Sequence, residues 1–271
     1  MNTNQKILIG AISAAVVIGG VTIGFILSKS PEPADLSTIH TQASTEAKKE
    51  TLPETSAPET TAPEKETEAV RSVTADLATY TYENISIQYP VVSQMEDEEK
   101  QQKVNDLLKE NALSVLKANQ INEEQDTLKV KCQVVSVDRS RITAVYTGEL
   151  SAKGAAHPAD LFYTNTVNLS QVQNMGMDDF ADAYTMAGYV LSEDVTFSNL
   201  SQEQRDAVLE YRSSLDIDTL TAIFDKADFP LDGDTWPESF SYEKQGSIYF
   251  SLPVPHSMGD YVIVVFDPTT K

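Results

Sequence analysis

Between Ile7 and Leu27 the chain runs for 21 residues without a charge, ILIGAISAAVVIGGVTIGFIL. A helix needs about 20 such residues to cross a hydrocarbon core ~30 Å thick. Lys6 precedes the run and Lys29 follows it, and a short basic N-terminus is retained on the cytoplasmic side. A cleaved signal peptide has a shorter apolar core, about 7–15 residues, with a small-residue exit. This run is longer and ends Phe25-Ile26-Leu27-Ser28-Lys29, so an uncleaved signal anchor is predicted. No cysteine follows it to take a lipid, and Gly10, Gly19, Gly20 and Gly24 offer small positions for packing against another helix. The expected layout is a cytoplasmic stub at residues 1–6, a transmembrane anchor at 7–27, and the remainder outside the cytoplasm.

Beyond the anchor, from Ser30 to about Val70, Pro, Glu, Thr, Ser and Ala dominate, with a near-repeat at Pro53, Pro58 and Pro63. Such a composition buries too little apolar surface to offset the entropy of ordering. Residues 28–74 are therefore predicted to be a disordered linker. At ~3 Å per residue in extended proline-rich geometry it spans on the order of 100 Å. It serves either as a spacer through a cell wall or as a linker with no length requirement.

The remaining residues, 75–271, are enough for one domain with a real core. From Arg71 onward, 32 acidic residues face 15 basic ones, a balance of −17 within a chain total of −21. That surface repels nucleic acid, which is recognised through Lys and Arg, and attracts a cationic partner. Cys132 is the one cysteine, so no internal disulfide forms; it reads as a small buried hydrophobe in the run Val130–Val137.

Apolar periodicity gives the elements. Tyr80, Tyr82, Ile85, Ile87 and Tyr89 alternate as a strand broken by Pro90. Val104, Leu107, Leu108, Ala112, Val115 and Leu116 mark a helix whose start carries Glu96–Glu99, acids suited to a helix N-terminus. Strands follow at Leu128–Val137, Ile142–Leu150 and Leu161–Leu169. Helices are expected at Asp178–Met186 and Ser201–Phe224, the latter opened by the capping box Ser201-Gln-Glu-Gln204. The segment Asp228–Pro237 reads as a solvated acidic loop. Phe240–Tyr242, Ser247–Leu252 and Tyr261–Phe266 close as strands. The expected class is α+β: a mixed, mainly antiparallel sheet packed with helices, behind a transmembrane helix and a disordered linker.

Chemistry-bearing motifs are sparse. No Gly-x-Ser-x-Gly elbow, Walker loop or dinucleotide fingerprint occurs, and no zinc spacing, so neither a catalytic residue nor a cofactor is assigned. Asp228, Asp232, Asp234 and Glu238 gather around Gly233 but miss the alternate-oxygen spacing of a calcium loop, and no metal is assigned. His157, in Gly154-Ala155-Ala156-His157-Pro158, and His256, in Pro253-Val254-Pro255-His256-Ser257, are turn residues or ligand contacts; both readings stand. Trp236, the only tryptophan, is a cover for the core edge or an exposed binding anchor. His157, Pro158, Trp236 and His256 are the candidate ligand-binding residues.

Four segments in order carry a resemblance. They are Tyr89-Pro90 with the Asn105-Asp106-Leu107 helix; a β pair leading to Gly154–Pro158 and a strand with Asn165 and Asn168; Asp178-Asp179-Phe180; and Tyr249-Phe250-Ser251-Leu252 ahead of Gly259 and Tyr261. The order resembles the extracytoplasmic domain of RsiV-type anti-sigma factors, which also stands beside the catalytic domain of PdaC-type peptidoglycan deacetylases. It covers about residues 78 to 267, with Gly-Ala-Ala-His-Pro its most specific element. The resemblance implies recognition of a ligand, since RsiV-type domains bind lysozyme, a cationic wall hydrolase. Three departures narrow what carries over. The six-residue stub is too short for an anti-sigma region, no deacetylase domain follows, and His256 stands where the family commonly has an aromatic. The expectation is a surface-displayed module for lysozyme or cell-wall glycan; a peptidoglycan-modifying enzyme or accessory subunit and a structural envelope protein are the alternatives.

Overall fold

A computed structural model of the chain describes residues 72–270. The predicted anchor at 7–27, and the predicted linker up to residue 71, lie outside those residues. Among the described residues no helix is long and apolar enough to cross a membrane.

The first strand is a hairpin rather than a single strand. β1 (Thr74–Tyr82) turns back through Glu83-Asn84, with Glu83 at φ 47, into β2 (Ile85–Ser93), so that Tyr82 pairs with Ile85. Thr74, the last residue of the predicted linker, already belongs to β1. Pro90 does not end β2. The adjoining strand β3 (Thr127–Val137) pairs with β2 only over Ile85–Ile87, so the missing N–H of Pro90 falls where that ladder has already stopped. The Gln88 side chain takes over there, accepting from the Cys132 N–H at 3.2 Å.

Between β2 and β3 runs α1 (Glu98–Ala118), capped by Asp97. Its buried face, Val104, Leu108, Ala112 and Val115, follows the helical period and packs on the sheet. The crossover makes β2–β3 the one parallel pair of the six-stranded sheet, whose order is β1-β2-β3-β4-β5-β6. β4 (Arg141–Ser151), β5 (Ala159–Asn168) and the short β6 (Gln173–Met175) continue it antiparallel. Ile85, Ile87, Leu128, Val130, Tyr146 and Tyr163 form the core under α1, with the Tyr146 and Tyr163 rings stacked 4.4 Å apart. Cys132 lies in that core, and burial pushes its thiol up to about 12, which keeps it un-ionised. Asn111 of α1, Asn165 of β5 and Asn174 of β6 satisfy one another by hydrogen bonds of 2.8–3.2 Å.

A second, four-stranded sheet has the order β7-β10-β9-β8, from β7 (Thr196–Phe197), β8 (Ser241–Lys244), β9 (Ser247–Pro253) and β10 (Tyr261–Phe266). Each helix expected opposite it is split in two. α2 (Met177–Phe180) stops before Asp182, which accepts the Thr185 N–H at 2.7 Å and starts α3 (Ala183–Leu191). α4 (Gln202–Arg212), opened by the Ser201–Gln204 capping box, gives way to α5 (Ile217–Phe224), where Asp216 caps Thr219 at 2.9 Å. An aspartate that finds a backbone N–H three residues on favours a new N-terminus over continuing the old helix. Met186, Val190, Val208, Leu220 and Phe224 pack with Phe250, Leu252 and Val264 as the core of this half. The described domain is therefore mixed α+β, with mainly antiparallel sheets.

Candidate functional site

The two sheets meet along β5, and three of the four candidate residues lie at one end of that seam. His157 and Pro158 occupy the loop that enters β5; His256 begins a 3-10 turn, His256–Met258, between β9 and β10. Gly259 at φ 99 and Asp260 at φ 66 then reverse the chain into β10. The reversal carries the Asp260 carboxylate to the start of β5 and to His256 at once. Its Oδ2 accepts the Asp160 N–H at 2.8 Å, and both oxygens lie 2.9–3.1 Å from His256 Nδ1. A carboxylate is an acceptor only, so His256 donates from Nδ1 in this pair. The imidazoles of His157 and His256 come within 6.3 Å, tilted by 32°. Behind them Phe162 packs on Tyr261 with ring centres 5.1 Å apart. Burial pushes the Tyr261 hydroxyl upward, and Asp160 and Asp260 add to the shift.

This corner is open. His157 and Pro158 are exposed, the His256 side chain is 52% exposed and that of Asp260 24%. Residues a hundred positions apart are thus held side by side in solvent by one aspartate. Among the described residues no group of three or more His, Cys, Asp or Glu is placed to hold a metal ion.

Trp236 lies elsewhere. Its ring packs on Phe240 at 5.0 Å, on Tyr163 at 5.2 Å and on Phe229 at 6.2 Å. Tyr163 and Phe162 are consecutive on β5 and point to opposite faces, so Trp236 and the histidine corner belong to different faces of that strand. The indole is half-buried, and it both covers a core edge and lines a cleft with α5.

Asp228 departs most from the sequence reading. It was grouped with a solvated acidic loop, yet it is only 3% exposed. Its Oδ1 accepts the Ser241 N–H at 2.6 Å, and its Oδ2 accepts the Met177 N–H at 2.8 Å and the Ser241 hydroxyl. Thr164 Oγ1 of β5 stands 3.4 Å from Oδ1. One carboxyl therefore ties together both sheets and the start of α2. Burial pushes it up to about 7, against hydrogen bonds from Ser241, Met177 and Thr164 that pull it down. Gly176 makes room: a Cβ there would lie 2.8 Å from the Asp228 Cβ. A second clip on the seam, between Arg141 of β4 and Glu243 of β8, also joins the sheets.

No protein-family model matches the chain, and no curated protein matches it. Solved structures are similar to it, two of them as follows. One is a member of the DUF3298 family from Bacteroides fragilis, 12% identical, covering 72% of this chain and 88% of that one with a TM-score of 0.38. The other is a DUF3298 family protein from Pseudomonas aeruginosa, 10% identical, covering 70% of this chain and 93% of that one with a TM-score of 0.29.

Proposed function

We propose that the protein is a binding or sensing module of a bacterial cell envelope, anchored in the membrane by residues 7–27 and displaying its folded domain outside the cytoplasm. Its ligand is wall-associated: a cationic wall hydrolase such as lysozyme, or the wall glycan. The observation that carries this reading is the open corner where Asp260 bonds both the start of β5 and His256, with the His157 ring 6.3 Å from that of His256. Exposed loops fixed on a rigid scaffold are where recognition residues concentrate. The balance of −17 from Arg71 onward favours a cationic partner through long-range attraction.

Calorimetric titration with lysozyme at low and moderate salt tests it. Saturable one-to-one binding that survives moderate salt is expected, because unspecific attraction between exposed charges is screened within about 8 Å at physiological ionic strength. Binding that vanishes with salt would remove lysozyme as the specific partner and leave the glycan. An aspartate-oriented imidazole is also how general bases are built. His157→Ala and His256→Ala separate the two roles: weakened binding supports the module, whereas retained binding with lost turnover of peptidoglycan would make the corner catalytic.

A further inference from the structure

The aromatic cluster around Trp236 has an open side. A cleft of about 470 Å³ borders it, lined by Thr219, Lys226, Asp232, Thr235, Trp236 and Glu238 among others. We propose that this cleft is a carbohydrate subsite in which a pyranose ring lies against the Trp236 indole. The inference deepens the binding-module reading and rests on it for placing the sugar in a cell wall; the chemistry comes from the cleft alone.

Three properties point to a sugar. The platform is fixed: Phe240, Tyr163 and Phe229 pack around the indole, so little side-chain freedom is lost when a ligand lands on it. The polar groups are mixed. Asp232 and Glu238 accept, Lys226 donates, and the Thr219 and Thr235 hydroxyls belong to both classes. A pyranose presents an apolar C–H face to an aromatic ring and a rim of hydroxyls that each need a donor and an acceptor. A cationic side chain would require acceptors only and would be repelled by Lys226; a phosphate would meet two carboxylates. The geometry is also held. Asp232 and Thr235 bridge each other across a tight turn, with the Thr235 N–H on the Asp232 carbonyl at 3.1 Å. The cleft falls within the range of about 300–1,000 Å³ usual for small-ligand sites.

Trp236 is the only tryptophan in the chain, so its emission reports on this cleft and nowhere else. The experiment is a fluorescence titration of the full chain with tri-N-acetylchitotriose, and with maltotriose as a second sugar. A saturable change with a dissociation constant below about 1 mM for at least one sugar is expected. Asp232 and Glu238 are exposed, so Asp232→Asn and Glu238→Gln leave the fold intact; each should weaken the sugar about tenfold, the usual loss for a hydrogen bond to a charged group. No saturable change with either sugar, or one untouched by the double variant, would overturn the subsite. So would saturation by Nα-acetyl-lysine amide in place of the sugars, which would assign the cleft to a cationic side chain. The outcomes stay separable from the module reading. Lysozyme binding without sugar binding removes the subsite and keeps the module, and sugar binding without lysozyme binding keeps the subsite and makes glycan the ligand.

Discussion

Asp228 and Asp260 adopt nearly the same left-handed backbone, at φ 67 and 66, and each side chain takes a backbone N–H from a segment distant in sequence, the start of α2 for one and of β5 for the other. Asp228 is sealed among Thr164, Met177 and Ser241, while Asp260 stays at the surface with His256. The pair separates two uses of one motif. Where the chain closes over the carboxylate, the bonds join sheets and the group becomes sensitive to its own ionisation. Where the chain leaves it open, the same bonds cost little to break and their product is a fixed imidazole offered to solvent.

Removing the sealed group should have the largest effect. Asp228→Ala leaves the Ser241 and Met177 N–H groups without their acceptor in a buried site, at a cost of about 3 kcal/mol or more measured by urea unfolding at pH 5. A loss below ~1 kcal/mol would mean that Asp228 does not join the sheets. Its ionisation gives the next effect. The folded carboxyl keeps its proton up to about 7, and the unfolded one only to about 4, so the folded state binds more protons between these values. This contribution is full below about pH 4 and is lost as pH rises through about 7, by on the order of 4 kcal/mol at most. Stability should therefore fall between pH 5 and 8 in the natural protein and fall less in Asp228→Asn; parallel profiles would contradict a titrating Asp228.

Crowding the same site tests its closure. Gly176→Ala sets a methyl 2.8 Å from the Asp228 Cβ and should cost about 1–3 kcal/mol, with part of that restored when Asp228→Gly, which removes that Cβ, is added. The smallest effect on stability belongs to the open site. His256→Ala should leave unfolding within about 0.5 kcal/mol of the parent while weakening ligand binding about tenfold. A large loss of stability there would erase the contrast with Asp228.

The strands with alternating apolar residues were readable from the sequence because each needs only local information: one face meets a core and the other does not. So was the Ser201–Gln204 cap, a motif complete within four residues. The breaks at Asp182 and Asp216 were less visible, since periodicity continues across them and only the competition for one N–H decides. His157 and His256 could be picked out singly, but their meeting depends on β5 and β10 coming from different sheets. Asp228 was misread because an acidic loop is normally wet, and what dries it are Thr164, Met177 and Ser241, all distant in sequence.

The register of the first hairpin has a mechanical consequence. Thr74, where the chain enters β1, pairs with Ser93, where β2 leaves toward α1, and the turn at Glu83-Asn84 lies at the far end. A pull arriving from the N-terminal side therefore peels β1 away one pair at a time, from Thr74 toward Tyr82, instead of shearing nine pairs together. Peeling yields at low force and re-zips when the pull relaxes. β1 is in this sense a tear strip, able to lengthen the chain ahead of β2 while β2 to β6 keep their pairing.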